Sequence, residues 1–379
     1  MSEKFIPFAK PSIGQDEIEE VVDTLKSGWI TTGPKTHKFE EMVREYVGAK
    51  NAAVVNSCTA ALHLSLIAAN VAGGEVITTP YTFVATANVI VHSGAKPVFA
   101  DVQKDTFNID PNEIEKKITE KTKAIVPVDY AGQPCDLDEI RKIAKRHGLR
   151  IIEDAAHAIG AEYGGKKLGT MSDSTCFSFY ATKNMTTAEG GIATTNNDAI
   201  AERISMLRMH GMSKDAWKRY GNKGSWYYEV DYPGWKYNMT DIAAAIGMHQ
   251  LRKLDSFIKR RREIAKRFSE EFERIDGLIV PTEKKGRTHI YHLYPLIVEG
   301  YDRAKFVGDM QKKGIGCSVH FIPVHFHPYY KRTYGYKKGS FPAAEWLYAR
   351  EVSLPLYPSM SDEDVETVIS AVKRIMRKG

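Results

Sequence analysis

Cysteine is scarce in this chain. Cys58, Cys135, Cys176 and Cys317 stand far apart and form no C-x-x-C pair. Neither a disulfide framework nor a zinc site is therefore indicated. No G-x-G-x-x-G follows a strand-like run, which argues against a nicotinamide-dinucleotide fold, and no G-x-x-x-x-G-K-[ST] loop occurs. Long apolar runs are missing too: nothing approaches the roughly 18 residues of a membrane span. Met1-Ser-Glu-Lys-Phe5 offers no apolar signal core, so the expected location is the cytoplasm. The net charge is only +6. Such a small excess suits anionic small molecules and is too weak to indicate nucleic acid. No internal repeat or low-complexity segment is visible.

What the chain does have is rhythm. Strand-like runs fall at 52–55, 75–79, 97–100, 124–128, 150–153, 175–180 and 192–195, with helical stretches such as 59–71, 111–119 and 136–147 between them. This alternation predicts an α/β fold with a mainly parallel central sheet flanked by helices. Residues 14–28 read as an amphipathic helix with Ile18, Val21, Val22 and Leu25 on one face and Gly28 as its stop. Residues 211–236 show no period and read as a long functional loop packed against a partner subunit. Met239 to about Ile275 reads as a long helix, broken once at most, and Lys259-Arg-Arg-Arg262 is its solvated charged face.

The last third predicts a smaller α+β domain. His292–Val298 and Cys317–Phe321 read as strands. Asp302 and Ser361 read as N-caps, the second with Asp364 in a capping-box spacing. With 379 residues, two domains are expected: 13–250 as the large α/β domain, and 251–379 with residues 1–12 as the small one.

The chemistry centres on Phe177-Ser-Phe-Tyr-Ala-Thr-Lys183, which runs on to Gly190-Gly191. Lys183 sits on a connection beside apolar strands. Desolvation there lowers an ammonium pKa, and a neutral amine attacks an aldehyde. Asp154 falls at the C-terminal end of the Ile151-Ile152 strand, where parallel sheets gather ligand groups. A Schiff-base lysine with an acidic partner for a pyridinium nitrogen is the pattern of pyridoxal phosphate. His157, three residues beyond Asp154, is within reach of the ring hydroxyl. Thr59, with the amides of Thr59 and Ala60, opens the helix after the Ala52–Val55 strand, and such a helix start binds phosphate. Ser178 adds a hydroxyl. Each residue also has a purely structural reading, Asp154 as a helix cap above all.

In this order the motifs resemble the fold-type I sugar aminotransferases, which act on nucleotide-linked keto sugars. The resemblance runs from Ser27–Lys35 through Ser353–Pro358. It is specific at Ser27–Lys35, Pro80–Phe83, Pro127–Asp138, Ile152–Gly160, Ser178–Gly191, Lys236–Asn238 and His320. Within the family it is most similar to the enzymes that aminate UDP-4-keto-pentose to UDP-4-amino-4-deoxy-L-arabinose, of use in lipopolysaccharide. The resemblance implies pyridoxal 5'-phosphate, with pyridoxamine phosphate as the half-reaction form. It also implies L-glutamate as donor and a homodimer with shared active sites.

The same resemblance assigns roles. Lys183 carries the cofactor and then acts as the base, and Asp154 holds the pyridine nitrogen. His157 lies near the ring hydroxyl, and Thr59, Ala60 and Ser178 hold the phosphate. Phe83 stacks on the ring, where the arabinose enzymes have tryptophan. Asn238 reaches the phosphate of the neighbouring subunit. Trp29, His320 and His325 are weaker substrate-site candidates. Asp129 stands where the family commonly has histidine and receives no role. His320-Phe-Ile-Pro-Val-His-Phe-His327 lacks a second ligand motif, so no metal is expected.

Other readings compete. A sugar dehydratase of the same fold has histidine in place of the lysine. An amino-acid aminotransferase or cysteine desulfurase would share the scaffold without the loops at Trp29 and Lys236–Asn238. A non-catalytic regulator binding sugar nucleotide or cofactor would need a DNA-binding appendage, for which the chain has no spare segment.

Overall fold

In the computed structural model, residues 5–212 and 227–377 are described. The strands in chain order are β1 (Asn51–Val55), β2 (Glu75–Thr78), β3 (Lys96–Phe99), β4 (Thr122–Val126), β5 (Arg150–Asp154), β6 (Glu162–Tyr163), β7 (Lys166–Lys167), β8 (Ser174–Ser178) and β9 (Gly191–Thr195). Seven of them form one sheet in the order β1-β9-β8-β5-β4-β2-β3. Pairing is parallel from β3 to β8, and β9 alone runs against its neighbours. The expected largely parallel sheet is therefore present, with one reversed strand. Ala124-Ile-Val126 and Ile151-Ile152 are buried on both faces, as parallel strands under helices on both sides must be.

Reversal of β9 puts its first residue beside the last residues of its neighbours: Gly191 pairs with Ser178 on one side and Val55 on the other. A Cβ on Gly191 would lie 2.4 Å from the backbone of Ser57 and Cys58. Only glycine lets β9 press this closely against the chain turning from β1 into a helix.

The helices are α1 (Gln15–Ser27), α2 (Pro34–Val47), α3 (Cys58–Ala68), α4 (Val84–His92), α5 (Pro111–Glu115), α6 (Leu137–His147), α7 (Asp198–Leu207), α8 (Asp241–Phe272), α9 (Arg303–Gln311), α10 (Pro328–Tyr334), α11 (Pro342–Arg350) and α12 (Asp362–Met376). Nearly all of α3 is buried, in keeping with its apolar composition on every side. The stretch expected as helix to 119 stops at Glu115. The long helix after Met239 is a single unbroken α8, capped by Thr240. It crosses the expected boundary at 250/251. Leu251, Leu254 and Ile258 pack into the core beneath the large sheet, and Ile264, Phe268 and Phe272 into a second core.

That second core lies under a small antiparallel sheet. The remaining strands are β10 (Leu278–Ile279), β11 (Arg287–Thr288), β12 (Tyr294–Val298) and β13 (Glu351–Leu354). The order is β10-β12-β13, and α12 covers the sheet with Val365, Val368, Ile369, Val372 and Ile375. Ile6 joins the same core and bridges to Ile315. The caps at Asp302 and Ser361 form as expected.

Four expectations need correction. Within Lys259–Arg262, expected as a solvated face, Arg261 is buried and donates to the carbonyls of Tyr291, His292 and Leu356. Cys317–Phe321 is not a strand; only Ser318 bridges to Ser353, because the segment bends away towards the large sheet. The strand expected from His292 begins at Tyr294. The apolar face of α1 does not point inward. Glu17 and Thr24 are its buried residues, Glu17 being held by Lys253 and Gln250 of α8, whereas Ile18, Val22 and Leu25 are 51%, 41% and 54% exposed. Of the loop expected at 211–236, residues 213–226 lie outside the described residues. Its flanks are tied by bridges between Met209 and Lys236 and between Met212 and Val230.

Candidate active site

Strand ends build the site. Beyond β1, Ser57 caps α3 by accepting the Ala60 N–H at 3.1 Å. β5 ends on Asp154, β8 ends on Ser178, and the connection from β8 to β9 carries Lys183. All four segments meet at one edge of the sheet, around a cavity of about 530 Å³. Among its lining residues are Thr59, Phe83, Asp154, His157, Ser178, Lys183 and His320. Seven of the residues singled out in the sequence thus converge there.

Lys183 is half-buried, and burial lowers its amine to about 8, against the pull of Cys58 and Asp154. About a tenth of it is therefore neutral at pH 7, and half near pH 8. Burial raises Asp154, opposed by its hydrogen bonds and by Lys183. Thr86 Oγ1 donates to one Asp154 oxygen at 2.8 Å, and the Ala156 N–H donates to the other at 3.2 Å. A buried acid so held is completed best by a cation in the cavity.

His157 is neutral, its pKa pushed far down by burial. Its Nδ1 accepts the Ala131 N–H at 3.3 Å. The ring hydrogen must then sit on Nε2, making that atom a donor. The His292 ring lies tilted against it at 4.4 Å between centroids, and His292 bonds Asn184, the neighbour of Lys183, at 3.0 Å. The Phe321 ring lies 6.0 Å from that of His157 and nearly parallel to it.

The remaining candidates stand elsewhere. Ala60 is buried outside the cavity lining, its N–H engaged by Ser57. Trp29 is 39% exposed and donates to Thr32 O. Asn238 donates to Thr32 Oγ1 at 2.6 Å, away from this chain's cavity. His325 is fully buried in a short 3-10 turn and bonds Glu345 at 3.0 Å. It is a packed histidine rather than a lining residue.

Sequence reasoning missed Thr86, His292, Phe8 and Phe321, which line the cavity too. Thr86 lies just past the Pro80–Phe83 motif, but its partner Asp154 is 68 positions away. His292 sits in a stretch that reads only as the start of a strand, and no local signal marks it.

Pyridoxal phosphate suits this donor set. The α3 start with Ser57, Thr59 and Ser178 offers an anion site. Asp154 offers the partner for a pyridinium, His157 Nε2–H a donor, and Lys183 the amine. A sheet of this topology with a lysine and an acid so disposed defines a pyridoxal-phosphate-dependent enzyme of fold type I.

Comparison with known proteins narrows the class. The chain belongs to the DegT/DnrJ/EryC1/StrS aminotransferase family, whose pattern it matches over residues 11–373. It is 61% identical to the uncharacterized protein MJ1066 of Methanocaldococcus jannaschii, covering 99% of this chain and 98% of that one. It is 52% identical to the spore coat polysaccharide biosynthesis protein SpsC of Bacillus subtilis, covering 98% and 97%. The putative sugar aminotransferase Spr1654 of Streptococcus pneumoniae superposes in its pyridoxamine phosphate form with a TM-score of 0.93 at 38% identity, over 98% and 99% of the two chains. Its pyridoxal phosphate form superposes with a TM-score of 0.92 at 37% identity, over 99% of each chain. The protein is a sugar aminotransferase that uses pyridoxal phosphate.

Proposed function

We propose that this aminotransferase moves the amino group of L-glutamate to C4 of a 4-keto sugar linked to UDP, yielding 2-oxoglutarate and a 4-amino sugar nucleotide. The observation that carries the reading is the pairing, in one cavity, of an amine lowered to about 8 with a buried acid held by Thr86 and Ala156. The part played by SpsC in polysaccharide biosynthesis supports a sugar acceptor.

When bound, pyridoxal phosphate supplies the electron sink and carries the amine between the two substrates. The chain's own residues bind, aim and move protons. Lys183 Nζ would take the donor's Cα proton and return it to the cofactor's C4′ carbon; a well-placed base contributes about 10²–10⁴-fold. Asp154, ionised, keeps a proton on the ring nitrogen. Thr59 and Ser178, with the start of α3, bind the phosphate. His157 Nε2–H would donate to the ring hydroxyl, and Phe83 would pack against the ring.

The working unit in this reading is a homodimer with shared sites. The exposed Ile18, Val22 and Leu25 of α1, with Trp29 and Ile30 beside them, supply an apolar contact face. Asn238 serves the partner's phosphate. Among the described residues no helix is long and apolar enough to cross a membrane, and the reading sets the enzyme in the cytoplasm.

The test is a half-reaction followed by a panel. Purified protein loaded with cofactor should be yellow and bleach on addition of L-glutamate. The bleached form should regain colour with a UDP-linked 4-keto sugar. Failure to bleach would remove glutamate as donor. Recovery only with acceptors that lack a nucleotide would overturn the substrate assignment.

A further inference from the structure

Glu351 and Ser353 stand two apart on β13, so both side chains leave the same face of the strand. Both are fully buried. Ser353 Oγ lies 2.5 Å from Glu351 Oε1 and 2.8 Å from His320 Nδ1. The His320 N–H donates to Glu351 Oε2 at 2.8 Å, closing the loop. Phe8 stacks on the His320 ring at 5.3 Å, and the Tyr130 hydroxyl donates to the His320 carbonyl at 2.5 Å. His320 Nε2 meets no hydrogen-bond partner among the described residues, and the residue lines the active-site cavity.

Proton counting along this chain has two solutions. If Glu351 is ionised, Ser353 donates to it and accepts from Nδ1–H, so Nε2 presents a lone pair. If Glu351 is neutral, its Oε1–H donates to Ser353, Ser353 donates to Nδ1, and Nε2 carries the hydrogen. One proton on a buried carboxyl decides whether the cavity meets a donor or an acceptor. His157 has no such choice, because the Ala131 N–H fixes its Nδ1 as acceptor.

We propose that Glu351 and Ser353 are positioning residues that set the tautomer of His320, so that Nε2–H donates to the carbonyl oxygen of the bound keto sugar while Glu351 is neutral. The donor polarises that carbonyl for the incoming amine, and no net proton transfer is required. The assignment of the oxygen rests on the function proposed above; the relay itself does not.

The surroundings favour the neutral setting. Tyr81 from the β2–α4 connection, Tyr130 from the turn after β4 and Cys317 from the segment before His320 face Glu351, with Arg303 of α9 as the nearby cation. Burial raises Glu351 to about 8, against Ser353, the His320 N–H and Arg303. Lys183, His157 and His292 face His320, and burial with the Lys183 charge lowers its ring to about 3, leaving it neutral.

Histidine-labelled holoenzyme without substrate gives the direct readout, the ¹⁵N shifts of His320, assigned by their loss in His320→Gln. The hydrogen should sit on Nε2 at neutral pH and move to Nδ1 with a midpoint near 8. In Glu351→Gln the amide oxygen stays opposite the His320 N–H and the NH₂ donates to Ser353, so His320 should keep Nε2–H up to about pH 9.5. Ser353→Ala should uncouple the ring from that transition. A single tautomer in wild-type protein across the range, or the same transition in Glu351→Gln, would overturn the relay. In the acceptor half-reaction at about pH 9, Glu351→Gln should be about tenfold faster than wild type, since only about a tenth of a group with pKa 8 stays protonated there. Equal rates would overturn the donor role. A tautomer switch seen alongside no turnover of any keto sugar would sink the substrate reading and leave the relay standing.

Discussion

The Thr86 hydroxyl donates to Asp154 Oδ2 at 2.8 Å, tying the first turn of α4 to the end of β5. Thr82 Oγ1 in turn lies 2.8 Å from Thr86 Oγ1. This small hydroxyl chain aims the acid that the cofactor ring needs, and it comes from a helix that carries no other polar lining group.

Replacing Thr86 with valine keeps the shape and removes the donor. A hydrogen bond to a charged acceptor contributes about 1.5–3 kcal/mol, so pyridoxal phosphate should bind roughly ten- to a hundredfold more weakly. Titration of apo protein by absorbance measures this. Unchanged affinity, or failure of Thr86→Ser to restore it, would count against the role.

Lys183→Ala should lose both the visible cofactor band and turnover. In wild-type apo protein, the rate of capturing pyridoxal phosphate should climb as pH passes through about 8, because only the neutral amine attacks. Stopped-flow absorbance across pH decides it, and a flat profile would contradict the lowered amine.

Asp129, just after β4, and Glu153 of β5 form a buried acid pair. The Cys135 N–H donates to Asp129 at 2.9 Å, and Ser172 and Thr175 donate to Glu153 Oε2 at 2.7 and 3.0 Å. Asp129 Oδ2 and Glu153 Oε1 have no other donor, which fits one proton shared between them. Burial raises both, and the charge of Glu153 raises Asp129 further. The folded state therefore binds more protons than the unfolded one, so this contribution is full at low pH. It is lost as pH rises from the ordinary carboxylate range toward the raised values. Asp129→Asn supplies a permanent donor to Glu153 and still accepts from Cys135. Its melting temperature should exceed wild type at about pH 8 by a few degrees, on the order of 1–2 kcal/mol, with the gap closing toward pH 5. Calorimetry at both pH values checks it, and a gap that widens on acidification would reverse the sign.

The double substitution Ile18→Glu and Leu25→Glu puts charge on the exposed face of α1. If that face joins two copies, sedimentation should show monomers, and activity should fall with dimer content. Dimers that persist in the variant would move the contact elsewhere.

Much of this protein is local and therefore legible in sequence. Buried parallel strands need uninterrupted β-branched runs, so Ile151-Ile152 and Ala124-Ile-Val126 announce themselves. Ligand groups gather where such strands end, and this is why Asp154, Ser178 and Lys183 stand out in the chain itself. Caps at Asp302 and Ser361 are equally local, since their hydrogen bonds close within three residues. Packing decided the rest. The period of α1 is plain, but which face turns inward depends on Lys253 and Gln250 of α8 capturing Glu17. The histidines at 320 and 325 look alike in the chain; one lines the cavity and the other packs against Glu345, because Pro323 and the turn after it part them. Thr86, His292, Glu351 and Ser353 gain their meaning only from partners far along the chain. A hydrogen bond across such distances leaves no periodic trace, and only the assembled fold can supply it.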